Sequence, residues 1–303
     1  MAHASLERPR NLAAWALVLM ASLLAVSAKA EERYWPPIVD PPTGQHHPGR
    51  FVWVDLVTSD VAAAAGFYGA VFGWTFETYG GEDDRDTYTL ALADGLPIGG
   101  MVYDQRAKQG KKLSARWVGL ISVTDLKAAT SAVTQGGGKV VYQPVMLGER
   151  GETAIYQDPE GVVFGLVNSK SGDPPDFAGD VNEWYWIDLW SADVEKAAQF
   201  YRAVVGYETV PIADDGPRSG VRLVSGGFAR GGIMAKDSKE TSATWLPYIR
   251  VADVKATAAR TTAAGGKVLL QPMALNLATV AIIADPTGAP VGIVQVPATE
   301  AQP

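Results

Sequence analysis

The chain repeats itself, and that repeat constrains its fold more than any other feature. FVWVDLVTSDVAAAAGFYGAVFGW (51–74) corresponds to WYWIDLWSADVEKAAQFYRAVVGY (184–207), aligning Asp55 with Asp188, Asp60 with Asp193, and Phe67-Tyr68 with Phe200-Tyr201. Further matches follow in the same order: Gly99-Gly100 with Gly231-Gly232, Trp117 with Trp245, GGKVVYQP (137–144) with GGKVLLQP (265–272), and AIYQDPEGVVFGLV (154–167) with AIIADPTGAPVGIV (281–294). Such collinear matching implies a duplicated domain, and 303 residues suffice for two, each expected to bury its own core.

Within each copy a strand leads to an aspartate at an N-cap position, then a helix, then a glycine. Val61, Ala64, Ala65, Tyr68 and Phe72 recur on one helical face, and Val194, Ala197, Ala198, Tyr201 and Val205 repeat it. Gly73 and Gly206 close these helices, and a second helix follows Asp125 and Asp253. Alternating runs at 51–57, 87–92, 97–103, 116–123, 139–146, 153–157 and 162–168 read as strands. The layout is α+β, with helices on one side of a sheet. The glycine-lysine runs at 136–139 and 265–267 lack phosphate-loop spacing and read as turns.

The flanks divide the rest. Residues 1–30 carry Arg8 and Arg10, an apolar run from Leu12 to Val26, and Ala28-Lys29-Ala30 as a cleavage pattern, so a signal peptide is expected, with an uncleaved anchor as the alternative. Residues 31–50 read as an extended proline-rich arm whose His46-His47 pair is solvated, 51–170 as domain one, 171–182 as a linker, 183–297 as domain two, and 298–303 as a tail. The expected localisation is periplasmic or secreted. Cleavage would remove Arg8, Arg10, Lys29 and Glu7, leaving 23 basic against 32 acidic side chains, a surface that repels nucleic acid. No later stretch is apolar enough to place the mature protein in a membrane.

Side-chain chemistry narrows function further. There are no cysteines, and the only histidines are His3, His46 and His47, which excludes thiolate sites, a cysteine nucleophile and histidine-ligated metal centres inside the domains.

The D-x-x-x-A-x-x-F-Y-x-x-x-x-G helix followed by D-P-x-G resembles the vicinal oxygen chelate superfamily, which includes glyoxalases, bleomycin-resistance proteins and extradiol dioxygenases. The resemblance implies two tandem domains, each of two paired βαβββ modules forming a cup-shaped sheet with helices outside. The metal-ligand positions of metal-dependent members map onto Trp53, Val118 and Gly165, and onto Trp186, Leu246 and Gly292, none of which can coordinate a cation. No cofactor is therefore expected.

On strict strand alternation the cup faces carry Phe51, Trp53, Asp55, Val57, Val118, Leu120 and Ser122 in copy one. Copy two presents Trp184, Trp186, Asp188, Trp190, Leu246, Tyr248 and Arg250. Trp53, Asp55, Trp184, Trp186, Asp188, Trp190, Tyr248 and Arg250 are candidate ligand contacts, against the alternative of core filling. Asp55 and Asp188 are candidate general bases, or else structural carboxylates, Asp188 paired with Arg250. The expectation is an exported, metal-free protein that binds an aromatic or glycosylated small molecule, with dimerisation open. The alternatives are a metal-independent lyase or isomerase and a scaffold with filled cups.

Overall fold

The computed structural model describes residues 35–80, 87–106, 115–176, 179–212, 219–236, 242–275 and 278–297; the expected signal peptide and tail lie outside these. Among the described residues no helix is long and apolar enough to cross a membrane. Domain one runs β1 (Phe51–Thr58), α1 (Val61–Phe72), β2 (Thr75–Tyr79), β3 (Tyr88–Ala93), β4 (Leu96–Tyr103), β5 (Arg116–Ser122), α2 (Leu126–Gln135), β6 (Lys139–Leu147), β7 (Gly151–Gln157) and β8 (Val163–Ser169). Domain two repeats it as β9 (Trp184–Ser191), α3 (Val194–Val205), β10 (Glu208–Pro211), β11 (Gly220–Ser225), β12 (Phe228–Ala235), β13 (Thr244–Arg250), α4 (Val254–Ala263), β14 (Lys267–Leu275), β15 (Ala278–Ala284) and β16 (Pro290–Gln295).

The strand orders are β2-β3-β4-β1-β5-β8-β7-β6 and β10-β11-β12-β9-β13-β16-β15-β14. Each sheet thus joins two consecutive βαβββ modules along the antiparallel β1–β5 or β9–β13 pair, so modules pair within a domain. The short strand β2 was not among the sequence expectations; its TFETY segment is mostly exposed and carries little hydrophobic signal.

Helix boundaries follow from local chemistry. Asp60, Asp125, Asp193 and Asp253 each accept a hydrogen bond from the backbone N–H three residues on, satisfying donors that an open helix end leaves unpaired. Gly73 and Gly206 end α1 and α3 at φ of 75° and 86°, a left-handed geometry natural to glycine.

The expectation of one core per domain is corrected. Both large apolar clusters draw on the two domains together: Phe67, Tyr68, Trp74 and Trp117 pack with Ile249, Ile283 and Ile293, and Ile121, Tyr156 and Phe164 pack with Phe200, Tyr201 and Trp245. The helices occupy the convex faces of the sheets, and those faces meet each other, α1 against α4 and α2 against α3. Two helices of 10–12 residues leave the central strands uncovered, and the strands cover one another instead. The Phe51 and Trp245 rings lie 4.9 Å apart, as do Trp117 and Trp184. Polar links cross the same boundary, with the Tyr201 hydroxyl 3.2 Å from Asp158 of the first D-P-x-G turn. The cups therefore open in opposite directions.

The arm and linker are also corrected. Neither is loose: Gly44 donates to the Ser171 carbonyl, Asp173 N–H to the Gln45 carbonyl, and His47 N–H to the Asp173 carboxylate. Asp176 of the linker collects His47 and Arg50 of the arm and Arg230 of the second domain in one charged knot. The His47 ring is thus held against the Asp176 carboxylate, with Nδ1 3.2 Å from Oδ2, and is only partly exposed. Composition suggested an extended tether, but Trp35, Pro36 and Ile38 are apolar, and the arm gains stability by packing them.

Candidate functional site: two unequal cups

Each cup is built on the same tripeptide, Trp-x-Asp, in its first strand. Residues two apart share a strand face, so the indole N–H meets the carboxylate: Trp53 donates to Asp55 at 3.0 Å and Trp186 to Asp188 at 2.8 Å. A glycine on the neighbouring strand makes room for the acid. A Cβ at Gly232 would stand 2.5 Å from Asp188 Oδ1, and one at Gly100 would stand 2.9 Å from Asp55 Oδ1. Gly99 and Gly231 serve instead the close approach of the Val54 and Ile187 carbonyls.

The bulges in β1 and β9 correct part of the sequence assignment. Pairing slips between Phe51 and Trp53, and again opposite Tyr248 and Ile249, so one extra residue enters each first strand. Strict alternation then fails at the strand start. Phe51 and Trp184 point into the interdomain core, where the Trp184 N–H donates to the Ile98 carbonyl at 2.8 Å and its ring meets Trp74 and Trp117. Val52 and Tyr185 join the cup-side clusters instead. Trp184 is a core residue.

Cup one is full. Asp55 accepts from the Tyr88 hydroxyl at 2.7 Å and pairs with Arg150 at 2.8 Å, and Arg150 donates to Tyr88 at 2.6 Å. The Arg150 guanidinium, fully buried, lies over Trp53, Tyr88 and Trp35 at 4.8, 5.0 and 5.1 Å from the ring centroids. Trp35 comes from the arm, which also inserts Ile38 into the same cluster. Burial raises the Tyr88 phenol pKa, and despite burial the Asp55 charge helps hold the Arg150 pKa above the usual range. Sequence reasoning missed Arg150 and Trp35 because one lies in a turn and the other in the arm, beyond any strand pattern.

Among the described residues, cup two has the same carboxylate without that cation. Asp188 is held by Trp186 and Tyr248, whose ring lies across Gly292; a Cβ there would meet it at 2.1 Å. The phenol comes from β13 in this cup and from β3 in cup one, where Gly220 matches Tyr88 by register. The Arg150 position aligns with Leu277, outside the described residues. Arg250 is not paired with Asp188; its guanidinium donates to the Gly179 carbonyl at 3.3 Å. Trp186, Asp188 and Trp190 keep partial exposure, whereas Trp53 and Tyr88 are buried. The wall continues through Val280 and Ile282 to the exposed Met273 and Leu275.

Asp188 is only partly accessible, lying at the floor of a cup whose walls surround its carboxylate, and this desolvation raises its pKa to about 6 against the donors Trp186 and Tyr248. An acid with a raised native pKa stabilises the fold below its unfolded value of 3.8, and that contribution is lost as pH climbs toward 6. Asp188→Asn is therefore expected to match wild type near pH 4 and to exceed its stability by about 1–2 kcal/mol at pH 8. Urea midpoints at the two pH values check this; a variant less stable at pH 8 contradicts it.

Among the described residues neither cup offers a divalent metal a fitting set of donors. Asp55 is committed to Arg150, and Asp188 is surrounded by indole, phenol and aliphatic groups, where a metal needs several converging O, N or S donors. Among the described residues no group of three histidine, aspartate or glutamate side chains is placed to hold an ion.

Comparison with known proteins agrees with this architecture. Residues 184–294 match the glyoxalase-like domain family, and residues 50–79 match the bleomycin resistance protein-like N-terminal family. "Putative glyoxylase CFP32" of Mycobacterium tuberculosis is 29% identical over 254 residues, covering 82% of this chain and 95% of that protein. The anthracycline biosynthesis protein DnrV of Streptomyces peucetius is 26% identical, covering 82% and 94%. A glyoxylase-like domain-containing protein of Didymella fabae is 33% identical over 118 residues, 37% of this chain and 88% of that one. In fold, the Mn(II)-bound glyoxalase of Novosphingobium aromaticivorans aligns with a TM-score of 0.58 at 18% identity, over 84% of this chain and 86% of that one. With paired βαβββ modules and these matches, the chain belongs to the vicinal oxygen chelate superfamily and carries a glyoxalase-like domain over residues 184–294.

Proposed function

We propose that this is an exported protein that binds a small molecule in cup two, without a metal, and uses cup one as structure. The observation that carries the reading is the inequality of the cups. The same Trp-x-Asp element is sealed under Arg150 and the arm in one, and partly open beneath apolar walls in the other. Apolar walls around a few converging polar groups are the usual form of a ligand site. Relatives named for anthracycline biosynthesis and for glyoxylase are in keeping with a small-molecule ligand. Export rests on the basic start and apolar run of residues 1–30. The filled cup one corresponds to the scaffold alternative for that domain.

The test is calorimetric titration of the mature protein with a panel of aromatic and glycosylated compounds. One site per chain is expected, with affinity at least about tenfold lower in Trp186→Ala, since a buried indole contact is worth more than 1 kcal/mol. Two sites per chain, or none across the panel, would overturn the reading.

A second reading is favoured by the carboxyl of Asp188, whose pKa of about 6 suits a general base near neutral pH. Asp55, locked by Arg150, lacks that freedom. In this lyase or isomerase reading, Asp188→Asn abolishes turnover and leaves ligand affinity intact.

A further inference from the structure

We propose that cup two recognises a flat organic cation, a guanidinium or amidinium group on an apolar body. This rests on cup two being the ligand site and adds the chemical class. The chain's own duplication supplies the precedent. Cup one shows what a Trp-x-Asp element with a phenol beside it holds in this fold: the planar guanidinium of Arg150, paired with Asp55 at 2.8 Å and lying 4.8 Å over Trp53 and 5.0 Å over Tyr88. Cup two rebuilds the three recognition groups as Trp186, Asp188 and Tyr248 but, among the described residues, sets no cation against the carboxylate; Gly220 stands at the register position of Tyr88, and in the sequence alignment Leu277 falls at the place of Arg150. A carboxylate largely desolvated by apolar walls, with no cation set against it among the described residues, is costly to ionise, and an incoming cation offsets that cost. Indole faces add cation–π attraction, and the excess of acidic over basic residues favours cations at long range.

The surroundings of Asp188 permit this. On β9 its cup-side neighbours are Trp186 and Trp190; β13 brings Tyr248, and Arg250 at its end, turned to the Gly179 carbonyl; β12 brings Gly232 and β16 Gly292. On β11, Arg222 stands level with Gly232 and is exposed, where water and salt screen it. Its position at the rim suits a ligand whose far end is neutral or anionic.

The experiment titrates the mature full chain with three ring-matched probes: benzamidinium, benzamide and benzoate. Calorimetry gives affinity, and indole N–H signals in NMR locate binding. At pH 7.5 benzamidinium is expected to bind at least tenfold more tightly than either isostere. Asp188→Asn should erase that preference, and wild-type affinity should rise from pH 5 to 7 as the carboxyl ionises. Thermal melting of Asp188→Asn confirms that the variant is folded. Equal affinity for benzamide, or a preference that survives Asp188→Asn, overturns the cation class while leaving cup two as a ligand site. Failure of all three probes at about 10 mM also overturns the cation class; the broader panel decides separately whether cup two binds anything.

Discussion

Replacing Arg150 by leucine is expected to cost about 3–5 kcal/mol, the scale for removing one partner of a buried ion pair. The side chain is fully buried, bonds to both Asp55 and Tyr88, and is covered by three aromatic rings. Its loss strands the Asp55 charge and leaves a hollow beneath Trp35. Asp55→Asn added to Arg150→Leu should recover part of that cost, because it removes the stranded charge. Urea midpoints for the two single variants and the double variant give the coupling directly. A loss below about 1 kcal/mol would mean that the guanidinium is hydrated like a surface charge.

A larger effect is expected on cutting the chain between its domains. Residues 183–297 alone should not persist as a folded monomer. Trp184, Phe200, Tyr201, Trp245, Ile249 and Ile293 belong to clusters completed by the other domain, and each large side chain returned to water forfeits about 1.5–3 kcal/mol. Several such losses equal the entire stability of an ordinary domain, about 5–15 kcal/mol. Sedimentation should show dimers or aggregates, and mixing with a 31–182 fragment should restore a one-to-one complex. A monodisperse, cooperatively melting monomer would refute the shared-core description.

Much of the architecture was legible in the sequence, for identifiable reasons. The N-cap aspartates and closing glycines of α1 and α3 are local signals, and duplication displays each twice. Trp53-Val54-Asp55 and Trp186-Ile187-Asp188 were legible as cup elements because period-two alternation holds through the middle of β1 and β9. Alternation failed at Phe51 and Trp184, where a bulge shifts the phase by one residue and no turn-forming residue announces it. Arg250 faced the right way for Asp188 on pattern alone, yet a backbone carbonyl claims its guanidinium. Proline content in the arm suggests exposure, when the apolar Trp35, Pro36 and Ile38 offer the better clue.

Tethering two copies head to tail also changes what evolution can do with a paired assembly. In a homodimer every substitution is written twice, so an arginine that stoppers one concavity stoppers its twin. Here the halves meet in reciprocal fashion, through shared apolar clusters and the Asp158–Tyr201 link, while being encoded separately. One half was thereby free to seat its own Arg150 against Asp55 as an inbuilt guest, and the other to build its Asp188 cup on a different set of neighbours. Division of labour is what covalent pairing permits and what symmetry would forbid.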